Sequence, residues 1–209
     1  FGGIDYRNTN GAKLSLLGNM LLNSAVTFEN ITFEQTESSC TIYGNANNIV
    51  FGKGIECIKF ADVTRYINLI GGLSVASSEK KYQTVIESGT WNSFYMSGNT
   101  GGRDTLLHEV EATINGGMFY GSVIAISPAN QTGKVTLTVN DGVFYGGIYG
   151  APDSASAYFE GVLTFVFNGG RFHGEISPAW RYDTLLKGEY YLSLNGGDFD
   201  AVTEIKGDK

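Results

Sequence analysis

The stretch 115-NGGMFYG-121 decides the fold, because the chain repeats it as 140-NDGVFYG-146, as 168-NGGRFHG-174 and, more loosely, as 195-NGGDFDA-201. An earlier variant stands at 87-ESGTWNS-93. The glycines that precede the aromatic pairs are Gly89, Gly117, Gly142, Gly170 and Gly197, spaced by 28, 25, 28 and 27 residues. A period near 27 fits neither the ankyrin nor the tetratricopeptide length, and nothing inside the period is helical. Upstream of each corner the residues alternate: 110-VEATIN-115, 135-VTLTVN-140, 163-LTFVFN-168 and 190-YYLSLN-195. One face reads Val110, Ala112, Ile114, then Val135, Leu137, Val139, then Leu163, Phe165, Phe167, then Tyr190, Leu192, Leu194. Period-two alternation rich in β-branched and aromatic residues is a strand with one buried side.

A second short strand follows each glycine, then a small residue and a third aliphatic segment, as in Gly121-Ser122-Val123. One such unit cannot bury its own apolar face; stacking it on its copy does. The expected fold is all-β, a single-stranded right-handed parallel β-helix of roughly seven coils of about 27 residues, in one domain over residues 1–209. Asn115, Asn140, Asn168 and Asn195 should form a ladder at one corner. Asparagine tolerates the left-handed backbone expected there, and its amide can bond to the copies above and below. Trp91, Phe119, Phe144, Phe172 and Phe199 should stack inside as an aromatic column. Residues 12–25 admit an amphipathic capping helix, although Gly18-Asn19 in their middle favours strand–turn–strand.

The order TFENITF, then TIYGNANNIVFGKGI, then INLIGG, then TINGGMFYGSV resembles right-handed parallel β-helix domains of secreted and surface proteins from gut and rumen bacteria. The wider group is the pectin-lyase-like superfamily. The resemblance runs from about Leu14 to the end and implies the fold; activity in that superfamily ranges from lyases and hydrolases to adhesins and passive stalks. It further implies a secreted or cell-surface bacterial location and a parent chain with other domains.

Composition narrows the partners. The net charge of −7 and pI near 4.8 argue against nucleic acid. Charged residues make up 17% and glycine 29 of 209 residues, a surface poor in charge that suits extracellular sugar contact. No window of 18 apolar residues offers a membrane span. The two cysteines, Cys40 and Cys57, lack metal-ligand spacing and read as small buried hydrophobes or as a disulfide. No cofactor is expected; calcium is the one ion left open.

Chemistry is sparse. The lyase motifs of the superfamily have no counterpart here. Asp198 and Asp200 give outward carboxylates in the last coil, where a solvated end suits them better than acid–base work. Asp141 suits a turn. The loops are richer: 97-SGNTGGRDTLLHE-109, 127-SPANQTGK-134, 150-GAPDSASAYFEG-161 and 177-SPAWRYDTLLKG-188 should leave one edge of the solenoid, three of them opened by a proline. Insertions on one face often mark a binding face. Trp180, Arg181 and Tyr182 stand together in the last of these loops, with Arg103 and Asp104 at the matching place in the first. A ring flanked by charged groups is how sugars are held; equally, Trp180 could seal the core. Tyr120, Tyr145 and His173 form a second candidate, an outward aromatic stripe that could also be ordinary sheet surface. The expectation is a non-catalytic adhesin-like or carbohydrate-binding domain whose partner is a polysaccharide or glycan, such as one on a host surface. The alternatives are a polysaccharide lyase or glycoside hydrolase, and a stalk displaying other domains.

Overall fold

The computed structural model describes residues 5–6, 11–36, 39–59, 65–72, 80–98, 106–126, 131–151, 159–179 and 187–200. All regular structure among them is strand, and every pairing is parallel. Each regular turn contributes one strand to each of three sheets. The first sheet, of eight strands, carries the alternating segments Lys80–Ile86, Leu106–Ile114, Gln131–Val139, Phe159–Phe167 and Glu189–Leu194. The second, of five, carries Thr90–Trp91, Met118–Phe119, Val143–Phe144, Arg171–Phe172 and Asp198–Phe199. The third, of seven, includes Phe94–Tyr95, Val123–Ile124, Ile148–Ala151 and Ile176–Ala179. The molecule is an all-β parallel solenoid of about five turns of ~27 residues.

The regular winding is shorter than the roughly seven coils expected. Before Lys80 the first sheet has three more strands, but the step is uneven: Phe28 lies opposite Phe51, and Phe51 opposite Ile86. These early passes also use a separate three-stranded sheet, Ala12–Leu16, Ile31–Gln35 and Glu56–Lys59. Residues 12–25 resolve as strand–turn–strand, Ala12–Leu16 then Met20–Leu21, and no helix caps them.

The inward face is the one the alternation named. Val110, Ala112, Ile114, Val135, Leu137, Val139, Leu163, Phe165 and Phe167 are all buried. The last coil departs from this, with Leu194 45% exposed, because among the described residues no further strand lies over Glu189–Leu194. Phe119, Phe144, Phe172 and Phe199 form the expected column, with ring centroids 5.1, 5.1 and 4.8 Å apart and planes within 14°. Trp91 heads the column in register with Phe119, but its closest described ring is Phe51, 4.9 Å away at 60°.

The asparagine ladder forms, with each amide donating to the carbonyl of the copy before it. Asn140 donates to Asn115, Asn168 to Asn140 and Asn195 to Asn168, each at 2.8 Å, across steps of 25, 28 and 27 residues. The expected left-handed backbone is not at these asparagines. Their own N–H groups still donate to the previous coil, as Asn140 does to Ile114 and Asn168 to Val139, one residue past the ends of the strands. The positive φ falls two residues later, on Gly117, Gly142, Gly170 and Gly197, at 98 to 126°. The residue between is glycine in three of the four copies, and at Gly116 an added Cβ would come 2.5 Å from the Glu87 carbonyl. In the second copy Asp141 takes that place and its carboxylate accepts from the Gly142 N–H at 2.7 Å, a turn role as expected.

Candidate functional site

An outward column runs beside the buried phenylalanines because strand side chains alternate faces. Phe119 points in, so Tyr120 points out; the same holds for Phe144 and Tyr145, and for Phe172 and His173. In-register pairing then places Tyr145 directly over Tyr120, with its N–H donating to the Phe119 carbonyl at 2.9 Å. The two phenol rings stack at 4.8 Å and 17°, and the His173 ring stacks on Tyr145 at 5.1 Å and 8°. Both tyrosines are 47% exposed.

The ribbon extends beyond the residues the repeat marks. Asn92 stands before Tyr120 in the sequence pattern, but its amide turns aside to Asn68 at 2.8 Å. Tyr66 takes the vacant place and stacks on Tyr120 at 5.1 Å and 20°. Lys59 then lays its ammonium 4.7 Å from the Tyr66 ring centre. At the far end His173 Nδ1 meets a carboxylate oxygen of Asp200. A carboxylate only accepts, so the Nδ1 proton is the shared one. One coil edge is thus a continuous line from a cation, through three phenols and an imidazole, to an anion. Tyr66 and Lys59 were illegible as site residues because 65-RYINLIGG-72 lies outside the NGG frame; the only signal was that Asn92 interrupts an otherwise aromatic column.

Stacking defines what this ribbon can do. Tyr120 has a ring on each side, and so has Tyr145. Their π-faces are occupied by one another, so a sugar cannot lie flat on them. What they offer to solvent is ring edges and hydroxyls, one per coil. The neighbouring carboxylates already have partners: Asp198 lies 3.3 Å from Arg171 Nε, and Asp200 is hydrogen-bonded to His173.

Trp180, Arg181, Tyr182, Arg103 and Asp104 lie outside the described residues, as do Pro128 and Pro152. Pro178, expected to open its loop, is instead buried within the strand Ile176–Ala179. That strand ends the order of the third sheet, an edge where a missing N–H is tolerated.

A second concavity, a shallow groove of about 460 Å³, lies where the three-stranded N-terminal sheet gives way to the second sheet. Ile55, Cys57, Ile58, Ser88, Thr90 and Met118 line it. Both cysteines are free and buried. Burial pushes the Cys57 thiol up to about 12, so it stays protonated and unreactive at neutral pH. Among the described residues no group of three or more histidine, cysteine, aspartate or glutamate side chains could hold a metal ion.

No protein family, no curated protein and no solved structure matches the chain. What stands is the parallel β-solenoid itself.

Proposed function

We propose that the chain is a non-catalytic binding domain of a secreted or surface-displayed bacterial protein, of the pectin-lyase-like β-helix kind, which holds an extended polysaccharide along the outside of its winding. One observation carries this reading. The outward ribbon presents two half-exposed phenols, Tyr120 and Tyr145, preceded by the partly exposed Tyr66, at steps of 4.8 and 5.1 Å. That step is close to the length of one β-linked pyranose in an extended chain, so hydroxyl partners recur in phase with the sugar. Binding would use the edge hydroxyls and the terminal Lys59 ammonium; the loop group Trp180, Arg181, Tyr182, Arg103 and Asp104 is a separate candidate contact for sugar.

The test is native electrophoresis through gels cast with plant and mucosal polysaccharides, with and without calcium, stained afterwards for polysaccharide. Retardation with the polysaccharide intact is the expected outcome, and it should weaken in the double variant Tyr120→Ala/Tyr145→Ala. A cleared zone would replace this reading with a lyase or hydrolase. Free passage through every gel would favour the stalk, a role for which the unbroken phenylalanine column along the axis is well suited.

A further inference from the structure

The same ribbon suggests a covalent chemistry independent of any sugar. We infer that Tyr120 and Tyr145 are a site of oxidative cross-linking, in which a one-electron oxidant such as a haem peroxidase with hydrogen peroxide joins them as dityrosine. Their geometry meets the requirements in turn. The ring centroids lie 4.8 Å apart and the planes 17° from parallel, so the two phenols are held side by side before any radical forms. The backbones beneath are fixed by the parallel pairing of Met118 with Val143 and Phe119 with Phe144. Both side chains are 47% exposed, which lets an oxidant reach the phenols and lets the departing protons pass to water.

The step balances. Each phenol gives up one electron and its hydroxyl proton; the two phenoxyl radicals join ortho carbon to ortho carbon. Each ring then loses its ortho proton while its oxygen takes one up, which restores aromaticity. Two phenols and one hydrogen peroxide give one dityrosine and two waters.

The neighbours select this pair. Tyr66 also stacks on Tyr120, but the Lys59 ammonium over its ring opposes the loss of an electron there. On the other side the column passes to His173, an imidazole. Tyr191 is more exposed, at 53%, but donates its hydroxyl to Glu189 and has Thr164 as its partner on the preceding strand. The product would tie two adjacent coils together across a step of 25 residues, at the surface of a fold whose described cysteines form no disulfide.

Trypsin can read the bond directly. Cleavage after Arg103, Lys134 and Arg171 separates Tyr120, in residues 104–134, from Tyr145, in residues 135–171. The dilute chain is treated with a haem peroxidase and hydrogen peroxide, then digested and weighed. The expected product is the two peptides joined with the loss of two hydrogens, with fragmentation placing the bond at Tyr120 and Tyr145. Tyr191→Phe should leave the yield unchanged, and Tyr145→Phe should abolish that bond while the far-ultraviolet circular dichroism stays native. In chain unfolded by urea the yield should fall about tenfold or more, since the two phenols are then brought together only by chain diffusion. Peptides that remain separate, a bond located at other tyrosines, or equal yield from folded and unfolded chain would each overturn the inference.

Discussion

The two halves of the solenoid are held together differently. From Lys80 onward, like stacks on like: asparagine on asparagine, phenylalanine on phenylalanine, tyrosine on tyrosine, with near-constant steps of 25 to 28 residues. Before Lys80 the steps are uneven, and the corners are joined by side chains that bond to backbone. Asn47 donates to the carbonyls of Leu22 and Gly44, Asn19 accepts from the Thr41 N–H, and Asn48 accepts from the Gln83 N–H. At the seam between the halves, the Ser88 hydroxyl donates to the Gly52 carbonyl at 2.7 Å and accepts from the Ile55 N–H at 2.8 Å. The described non-glycine residues with positive φ, Asn30, Asn45 and Ala46, all belong to the first half. A constant step lets one corner serve as the template for the next. Where the step changes, copies no longer face each other, and single polar side chains must satisfy the backbone groups left over.

The largest test of this contrast is one in which the halves should agree. Phe144→Ala opens a cavity between Phe119 and Phe172 and should cost about 3–5 kcal/mol, read from urea unfolding. Phe28→Ala, which removes a ring stacked on Phe51 and edge-on to Phe33, should cost a similar amount. A clearly smaller loss at Phe28 would mean that the irregular half is looser in its core as well as at its corners. Ser88→Ala should follow at about 1–3 kcal/mol, because it leaves a part-buried carbonyl and N–H without their partner. Asn140→Ala should cost less, about 1 kcal/mol, since its ladder amides are exposed and water replaces them. If Asn140→Ala proves the more damaging, the ladder rather than the seam is the critical joint. The smallest effect is expected on the outer face of the first half. Hydrogen bonds from Lys13 and then Ser15 hold the Glu34 carboxyl below its ordinary range. A lowered folded pKa stabilises above the unfolded value and is lost as pH falls through the folded one. Glu34→Gln should therefore lower stability slightly at neutral pH and leave it unchanged in acid below the folded pKa, which flattens the acid limb; the loss is small because the Lys13 end of the pair is exposed.

The repeat made the regular half readable one residue at a time. The buried faces, the three strands per turn, the asparagine ladder and the phenylalanine column all follow from spacing and alternation, which are local properties. The outward positions of Tyr120, Tyr145 and His173 were legible for the same reason. The corner backbone was misassigned, because a sequence names a corner without saying which residue turns; Asn115, just past its strand, still bonds to Ile86 of the coil beneath, and the positive φ falls on Gly117.

The sequence by itself determined the winding, since a period near 27 with alternating apolar residues can bury its face only on its own copies. Tertiary structure alone decided how the ribbon ends and which of its surfaces remain available. Tyr66 reaches Tyr120 from outside the NGG motif and Lys59 closes that end, whereas Asp200 closes the other end in frame, 27 residues after His173. The contacts of Tyr66 and Lys59 lie outside the repeated motif, so the motif does not announce them; they exist because the path of the backbone between coils brings those side chains to the same edge.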